Sequence, residues 1–348
     1  MERAGIVTSG RRRAALPFCL VPLLATGGCG GFQSPLAPAG EQAASIHSLF
    51  WLMMAVCGFM YVLVLAGLGV AVVRAWRRRG ASPGEPSITR SDQGLNRGLL
   101  AWAGLIVVGL TVLIVGSFWV ERTIASARAR DALEVRVTGH QWWWRIQYRD
   151  PATGGWIETA NELHLPLGRT TRVSLGASDV IHSFWIPNVA QKLDLIPGRI
   201  NTIDLTPTRA GWFRGQCAEF CGVQHAHMAL DVKIDTAQEF NSWLASQARP
   251  AARPADPAAS RGFQLVTEGQ CAMCHAIRGT PARGRAGPDL THFGARRSVA
   301  AGTLTMSRGA IQGWITQPQA VKPGTMMPPV ALSPADADAA SRYLMGLK

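Results

Sequence analysis

Two long stretches without a charged residue, 49–73 and 99–120, limit the folds open to this chain more than any other feature. At 1.5 Å of rise per residue they form helices of about 37 and 33 Å, long enough to cross a hydrocarbon core of roughly 30 Å. Helices buried inside a soluble protein rarely run this far without a charge. The sequence therefore predicts a multi-domain membrane protein that begins with a two-helix transmembrane hairpin.

The charge around these stretches predicts their orientation. The formal net charge is +13, but the basic residues are dispersed and no base-stacking motif accompanies them, so nucleic acid is not expected as a partner. The segment 74–97 carries an excess of basic residues: Arg74, Arg77, Arg78, Arg79, Arg90 and Arg97 against Glu85 and Asp92. Short arginine-rich loops stay in the cytoplasm. A multi-pass protein of the bacterial inner membrane is expected, with everything after residue 120 on the periplasmic face.

The N-terminus fits export. Basic residues followed by the apolar run AALPFCLVPLLATGGCG are typical of a signal peptide, predicted here over residues 1–28. Small residues directly before Cys29 favour lipoprotein processing, which would leave Cys29 as a lipidated N-terminus. Thr26 stands where such sites usually have leucine, so simple cleavage and retention as an anchor stay open.

Beyond the hairpin segment, 29–130, the sequence pattern changes twice. Short alternating runs separated by turn residues, from LEVRVTGHQWWWRIQY to HMALDVKI, predict an antiparallel all-β sandwich or barrel over 131–245, of which the sandwich is preferred. The Ala/Pro-rich stretch 246–260 is interpreted as a partly extended linker. Short helical patterns then predict an all-α domain over 261–348. Its last helix is expected to start at Ser333 as N-cap, with Pro334 at the first helical position.

The stretch CAEFCGVQHAHM concentrates soft metal ligands. They are Cys217, Cys221, His225 and Met228, with His182 in a second loop. Two thiolates, two imidazoles and a thioether suit copper. A mononuclear blue-copper site needs one cysteine, so two cysteines favour two coppers that share both thiolates, with the backbone carbonyl of Glu219 completing the set. A disulfide and a structural zinc site are the alternatives. His140 and His227, although nearby, are interpreted as structural.

A second motif, CAMCH, is typical of covalent haem c. Cys271 and Cys274 would form the thioether bonds and His275 would be an axial iron ligand. The motifs GRAGPDL and PGTMMPP follow it, and with them residues 261–348 resemble small class I cytochromes c. That pattern places the sixth ligand directly before Pro328. Met327 is therefore the predicted ligand, and Met326 is the alternative.

The stretches CAEFCGVQHAHM, DVIHSFWIPN, KLDLIPGRIN and GHQWWW together resemble subunit II of cytochrome c oxidase, over residues 29–245. The resemblance implies a cupredoxin-like domain with a dinuclear copper centre, CuA. The implied copper ligands are His182, Cys217, Glu219 (backbone carbonyl), Cys221, His225 and Met228. It further implies that the Glu219 side chain binds magnesium at the contact with subunit I, and that electrons enter through Trp142. For Trp142, simple packing is the alternative, with Trp143 pointing to the opposite side.

The two resemblances together imply subunit II of a bacterial oxidase with a fused cytochrome c domain. Electrons would pass from a periplasmic cytochrome c or a cytochrome bc complex to haem c, then CuA, then subunit I, where oxygen becomes water. The chain would thus be part of a proton-translocating oxidoreductase whose oxygen-reducing site lies in its partner. Subunit III and membrane lipid are further expected partners.

Two observations bear on the alternatives. The family's glutamate before the second span is missing from SDQGLNRGLLAW, which removes the support for proton uptake through this subunit. A CuA-containing subunit of a nitric oxide reductase would share the same layout, and a membrane-tethered copper-handling protein would share the copper ligands. The haem motif argues against copper handling alone.

Overall fold

The computed structural model describes residues 31–77, 93–126, 131–254 and 256–348. The predicted signal peptide, Cys29 and most of the arginine-rich loop lie outside these residues. The described chain forms, in order, a helical hairpin, a β-sandwich and a smaller helical domain.

The hairpin consists of α1 (Glu41–Arg77) and α2 (Gln93–Ser126). Both helices extend beyond the charge-free stretches, because the polar residues at their ends continue the helical hydrogen bonding. They approach closely at glycines: a Cβ on Gly116 would lie 2.7 Å from Leu52 Cδ2, and one on Gly109 would lie 3.4 Å from Val56 Cγ1. Small residues permit such packing in membranes. The outer faces expose large apolar side chains such as Leu100 and Ile114, which suit lipid or a partner helix.

The start of α1 is fixed to the sandwich. The Glu41 amide donates to the Thr206 carbonyl at 3.0 Å, and the Ala43 amide donates to the Val189 carbonyl at 3.1 Å. A Cβ on Gly40 would lie 2.4 Å from the Val189 oxygen, so only glycine fits there. The hairpin therefore holds the sandwich at a defined place next to the membrane.

The sandwich strands in chain order are β1 (Leu133–His140), β2 (Trp143–Arg149), β3 (Trp156–Ala160), β4 (Glu162–Pro166), β5 (Thr171–Ala177), β6 (His182–Trp185), β7 (Leu193–Leu195), β8 (Asn201–Leu205), β9 (Gly211–Cys217) and β10 (Ala229–Asp235). Within residues 131–254 they form two five-stranded sheets, ordered β3-β2-β1-β5-β8 and β4-β10-β9-β6-β7. The predicted sandwich is confirmed. The expectation of purely antiparallel pairing is wrong, since β1 pairs parallel with β5 and β4 parallel with β10. Alternation in sequence identifies a buried face but not the neighbouring strand.

The core lies between the sheets and includes the fully buried side chains of Trp144, Tyr148 and Phe184. After β10 comes α3 (Ala237–Gln247), which begins in a capping box between Thr236 and Glu239. Its residue Trp243 packs edge-on against Tyr148, with ring centroids 5.0 Å apart. This helix covers one end of the core.

The helical domain contains α4 (Pro257–Thr267), α5 (Cys271–Cys274), α6 (Arg308–Thr316), α7 (Pro318–Val321) and α8 (Pro334–Gly346), with a short ladder of β11 (Ser298–Val299) and β12 (Leu304–Thr305). The predicted start of α8 is confirmed: the Ser333 hydroxyl accepts from the Asp336 amide at 3.1 Å, and Pro334 follows. The connection between the domains is shorter than 246–260. Helix α3 continues to Gln247 and α4 begins at Pro257, since alanine-rich ends extend both helices.

Candidate functional site: two metal-ligand sets and the interface between them

The sandwich brings the soft ligands together at one end. Cys217 is the last residue of β9 and His182 the first of β6, and these two strands pair antiparallel with Phe184 opposite Cys217. The chain then turns through residues 218–224 and a 3₁₀ turn, His225–His227, before β10 starts after Met228. Adjacent strand ends therefore place ligands that are 35 or more positions apart in one cluster.

All six predicted copper ligands lie in this cluster. Sγ of Cys217 is 3.7 Å from Sγ of Cys221, 3.9 Å from Nδ1 of His182 and 3.2 Å from the Glu219 carbonyl oxygen. Sγ of Cys221 is in turn 3.6 Å from Nδ1 of His225 and 3.8 Å from the Met228 sulfur. The two cysteines are free and their sulfurs are far beyond the roughly 2.05 Å of a disulfide bond.

Without a metal, one of the two cysteine side chains is ionised and the other keeps its proton. A hydrogen bond from Cys221, with a further one from His182, lowers the pKa of Cys217 to about 3 despite its burial. The same interaction raises the pKa of Cys221, which keeps its proton. Two thiolates this close repel each other, so both ionise only when a cation supplies the opposite charge. The donor set thus fits a soft metal that binds both sulfurs.

Asp179 orients one of the imidazoles and was missed by sequence reasoning. Its Oδ1 lies 2.8 Å from Nε2 of His182, so the other ring nitrogen, Nδ1, faces the sulfurs. Burial lowers the pKa of His182, but hydrogen bonds to Cys217 and Asp179 outweigh burial and raise it. Carboxylates commonly hold metal-binding histidines in this way. The signal in the sequence was the aspartate three positions before the histidine in DVIH.

The neighbouring histidines point elsewhere, as predicted. Nδ1 of His227 bonds the Gln224 side chain at 2.8 Å. His140 stacks on Trp143 with centroids 4.3 Å apart, and its Nδ1 lies 2.7 Å from the Ser178 hydroxyl. Because neither of these rings belongs to the sulfur cluster, His225 is the candidate copper ligand among the histidines of residues 217–228.

Trp142 lies between the helical domain and residues 217–228, called the copper-ligand loop because five of the six predicted copper ligands lie in it. Its indole Nε1 donates to the Cys221 carbonyl at 3.0 Å. A Cβ on Gly222 would lie 3.0 Å from the ring on one side, and a Cβ on Gly324 of the helical domain would lie 3.6 Å from it on another. The side chain is only 8% exposed. Trp143 is half-buried and Trp144 fully buried, which agrees with the predicted alternation.

The CAMCH residues form a compact site in the helical domain. Cys271 and Cys274 begin and end the single turn α5, and His275 follows at once. Nδ1 of His275 donates to the Pro288 carbonyl at 2.7 Å, which leaves Nε2 for an iron ion. Burial lowers the pKa of His275 and so favours the neutral, ligating ring. A Cβ on Gly287 would lie 2.6 Å from this ring, which accounts for the second glycine in GRAGPDL.

The surroundings of α5 fit a haem group. A cavity of about 200 Å³ lies beside Cys271 and is lined by aliphatic side chains, among them Val266, Ile315 and Leu332. Met327 packs against the core of the helical domain, whereas Met326 is 84% exposed. An apolar cavity at Cys271, a second thiol at Cys274, a held imidazole and an inward methionine in the same small domain match the chemistry of haem c.

Residues 151–235 match the family described as cytochrome C oxidase subunit II, periplasmic domain, and residues 259–348 match cytochrome c. Cytochrome c oxidase subunit 2 of Alkalihalophilus pseudofirmus is 31% identical over 96% of this chain and 96% of its own length. Cytochrome c oxidase subunit 2 of Bacillus subtilis is 32% identical over 97% and 98%. The crystal structure of the periplasmic domain of subunit II from Bradyrhizobium japonicum is 32% identical, covers 34% of this chain and 95% of that one, and has a TM-score of 0.32.

A hairpin anchor, a cupredoxin-like sandwich with a sulfur–imidazole cluster, and a cytochrome c domain define a membrane-anchored electron-transfer protein with its domains in the periplasm. The chain belongs to the cytochrome c oxidase subunit 2 family. It is an electron-transfer subunit of a cytochrome c oxidase, with copper in the sandwich and haem in the helical domain, and it is part of the oxidase complex. The comparisons favour this function over the nitric oxide reductase and copper-handling alternatives.

Proposed function

We propose that the sulfur cluster holds the dinuclear copper centre and that the cavity beside α5 holds haem c. The copper ligands are His182, Cys217, the Glu219 carbonyl, Cys221, His225 and Met228. The haem is bound covalently by Cys271 and Cys274, with His275 and Met327 on the iron. The observation that carries this proposal is the buried cluster of two free thiols with the His182 and His225 rings and the Met228 sulfur around them.

When bound, the two groups supply one-electron redox chemistry between an external donor and subunit I. The chain's own residues hold these groups and keep water away from them. The aspartate at 179 fixes His182, and the Pro288 carbonyl fixes His275. Trp142 shortens the path between the domains, because its ring fills the space between the Cys221 carbonyl and Gly324.

The surface around Glu219 supports a contact with subunit I and a magnesium ion there. The Glu219 side chain is exposed although its carbonyl faces the sulfurs, and the adjacent Phe220 is 75% exposed. A carboxylate suits magnesium, which prefers oxygen ligands. An exposed phenyl ring beside it suits burial in a protein interface.

The donor is proposed to be a cytochrome c or a cytochrome bc complex that approaches the helical domain. Met273, between the two haem-binding cysteines, is 73% exposed, so this edge of the domain is open to a partner. Subunit III and membrane lipid are proposed to cover the apolar faces of α1 and α2.

The proposed topology is multi-pass, with the arginine-rich loop in the cytoplasm and Cys29 lipidated at the outer face. Reporter fusions within residues 78–92 should be active in the cytoplasm, and fusions after Lys348 in the periplasm. The reverse pattern would overturn the topology.

The electron path is tested with Trp142→Phe. The smaller ring loses the hydrogen bond to the Cys221 carbonyl and leaves a gap toward Gly324. Oxidation of haem c after rapid mixing with oxygen should slow by about tenfold, the effect of roughly 1.4 kcal/mol on a barrier. Trp143→Phe, on the neighbouring but outward-facing ring, is the matched control. Equal rates in both variants would assign Trp142 to packing alone.

A further inference from the structure

Lys322 is a buried cation at the boundary between the sandwich and the helical domain. Its side chain is 2% exposed. Nζ donates to three backbone carbonyls: Trp142 at 2.7 Å, His227 at 2.8 Å and Ala300 at 3.2 Å. An ammonium group has three N–H donors, so these carbonyls satisfy all of them. Two of the acceptors belong to the sandwich and one to the helical domain.

The residues after Lys322 continue this contact toward the haem. The segment 322–327, called the docking loop below, ends at Met327. The Pro323 carbonyl accepts from Nε2 of Gln224 at 2.7 Å. A Cβ on Gly324 would lie 3.0 Å from Val223 Cγ2. The first half of the docking loop, residues 322–324, therefore lies on the copper-ligand loop, and the last residue of the docking loop is the proposed iron ligand.

A second line of contacts runs beside the first. The Ala229 amide donates to the Ala301 carbonyl at 3.1 Å, and the Arg297 amide donates to Oε2 of Glu162 at 2.8 Å. Ala300 and Ala301 have φ angles of 54° and 57°, a left-handed conformation that alanine seldom adopts. The Ala301 carbonyl is held across the interface by the Ala229 amide, and the Ala300 carbonyl is held within the helical domain by Lys322. The docked arrangement thus stabilises a turn that its own sequence disfavours.

The environment of Lys322 depends on docking. Burial takes its ammonium group out of water and lowers the pKa of Lys322 to about 7. The carbonyls must replace the stabilisation that water gave. If the domains separate, two of the three acceptors are lost together. All three N–H groups of Lys322 find acceptors only when the helical domain lies in this one position on the sandwich. The contact therefore fixes the position of the domain and not only its closeness.

We propose that Lys322 is the positioning residue of electron transfer within this chain: it fixes the docked helical domain by joining the docking loop to the backbone of Trp142 and His227. This inference rests on the proposed roles of Trp142 and Met327. Lys322 touches neither metal group and acts through the residues that do.

The test replaces Lys322 by methionine, which keeps an unbranched chain and removes the donors, in the assembled oxidase. Lys348→Met is the control, because it makes the same charge change at an exposed position of the same domain. Hydrogen exchange is measured on peptides that contain the Ala229 amide, which is bonded across the interface. We expect hydrogen exchange at the Ala229 amide to be about tenfold faster in Lys322→Met, because loss of these hydrogen bonds makes local opening of the interface easier. Oxidation of haem c should slow by a similar factor, with copper content and the haem spectrum unchanged.

The two readouts separate the inference from the proposed function. Exchange at Ala229 equal to that of the Lys348→Met control would overturn the docking role, whatever the electron path. Faster exchange with an unchanged rate of haem oxidation would support docking by Lys322 and overturn the path through Trp142. Lys322→Gln, which retains two donors, should give intermediate exchange. If both variants instead fail to bind haem, Lys322 is a folding residue and the proposal is wrong.

Discussion

The copper and haem sites of this chain are built in opposite ways. Two of the proposed copper ligands, Cys217 and His182, lie at the ends of paired strands and the others in the loop that follows, and the sandwich core behind them includes the fully buried Trp144 and Phe184. The haem ligands occupy a one-turn helix and the end of the docking loop, around a cavity in a smaller core. The sheets fix the copper ligands before any metal binds. The helical domain is expected to gain much of its order from the haem itself, since a bound group stabilises the state that binds it.

This contrast teaches where each site is vulnerable. Loss of one proposed copper ligand should leave the sandwich folded, because most of its core side chains are not metal ligands. Changes in the helical domain should act through the haem or through the docked position of the domain.

Cys217→Ser should abolish the copper centre and leave the haem domain intact. The hydroxyl stays protonated near neutral pH and cannot replace a thiolate shared by two metals. We expect nearly complete loss of bound copper, with haem c attached and accumulating in its reduced form during turnover. Metal analysis beside the haem absorption spectrum measures both. Cys57→Ser, at a free cysteine in α1, should change neither, and unchanged copper in Cys217→Ser would remove the copper assignment.

Met327→Ala should lower the reduction potential of the haem without detaching it. Axial ligands set haem potentials over a span of roughly 0.8 V, and loss of the thioether should cost on the order of 0.1 V of that span. Redox titration of the purified protein gives the potential. Met326→Ala, at an 84% exposed side chain, should titrate like the parent. The reverse pattern would make Met326 the ligand.

Asp179→Asn should weaken copper binding while keeping all six ligands. The amide cannot hold the His182 ring as a carboxylate does, and such changes typically cost 10–100-fold in metal affinity (~1–3 kcal/mol). Competition with a copper chelator measures the loss. Asp150→Asn, in the turn that directly follows β2, makes the same chemical change away from the cluster. Equal affinities in the two variants would show that the sheet alone orients the histidine.

The smallest predicted effect concerns His164 in the sandwich. Burial lowers its pKa, but hydrogen bonds to Asp235 at 2.6 Å and Glu162 at 3.2 Å outweigh burial and raise the pKa above 6.5. A raised pKa in the folded state stabilises the protein below 6.5, and that stability is lost as pH rises through the folded value. We expect a loss of about 2 kcal/mol, typical of a hydrogen bond to a charged group.

Thermal unfolding of the purified protein at several pH values measures this dependence. His164→Gln should flatten the pH dependence above pH 6.5, since glutamine carries no charge, while copper content stays unchanged. If the thermal stability of His164→Gln varies with pH as that of the parent does, a group other than His164 is responsible for the dependence.

Much of the site could be predicted because its chemistry is local in sequence. The spacing of Cys217, Cys221, His225 and Met228 identified a copper loop, and the structure brings those side chains together with His182. The choice of Met327 over Met326 rested on the neighbouring proline, and burial now supports it. Asp179 was missed, because a carboxylate near a histidine is common and only the fold shows that it reaches the ring.

The hairpin, the sandwich, the helical domain and the two proposed ligand sets could be predicted from the sequence, since hydrophobic period, turn residues and ligand spacing act over short stretches of chain. The parallel pairing of β1 with β5 and the docking of the helical domain became known only from the folded structure. Lys322 and Trp142 lie 180 positions apart, and nothing near either residue indicates the other. Contacts of that separation depend on the packing of complete domains, and a buried cation finds its acceptors only after both domains have formed.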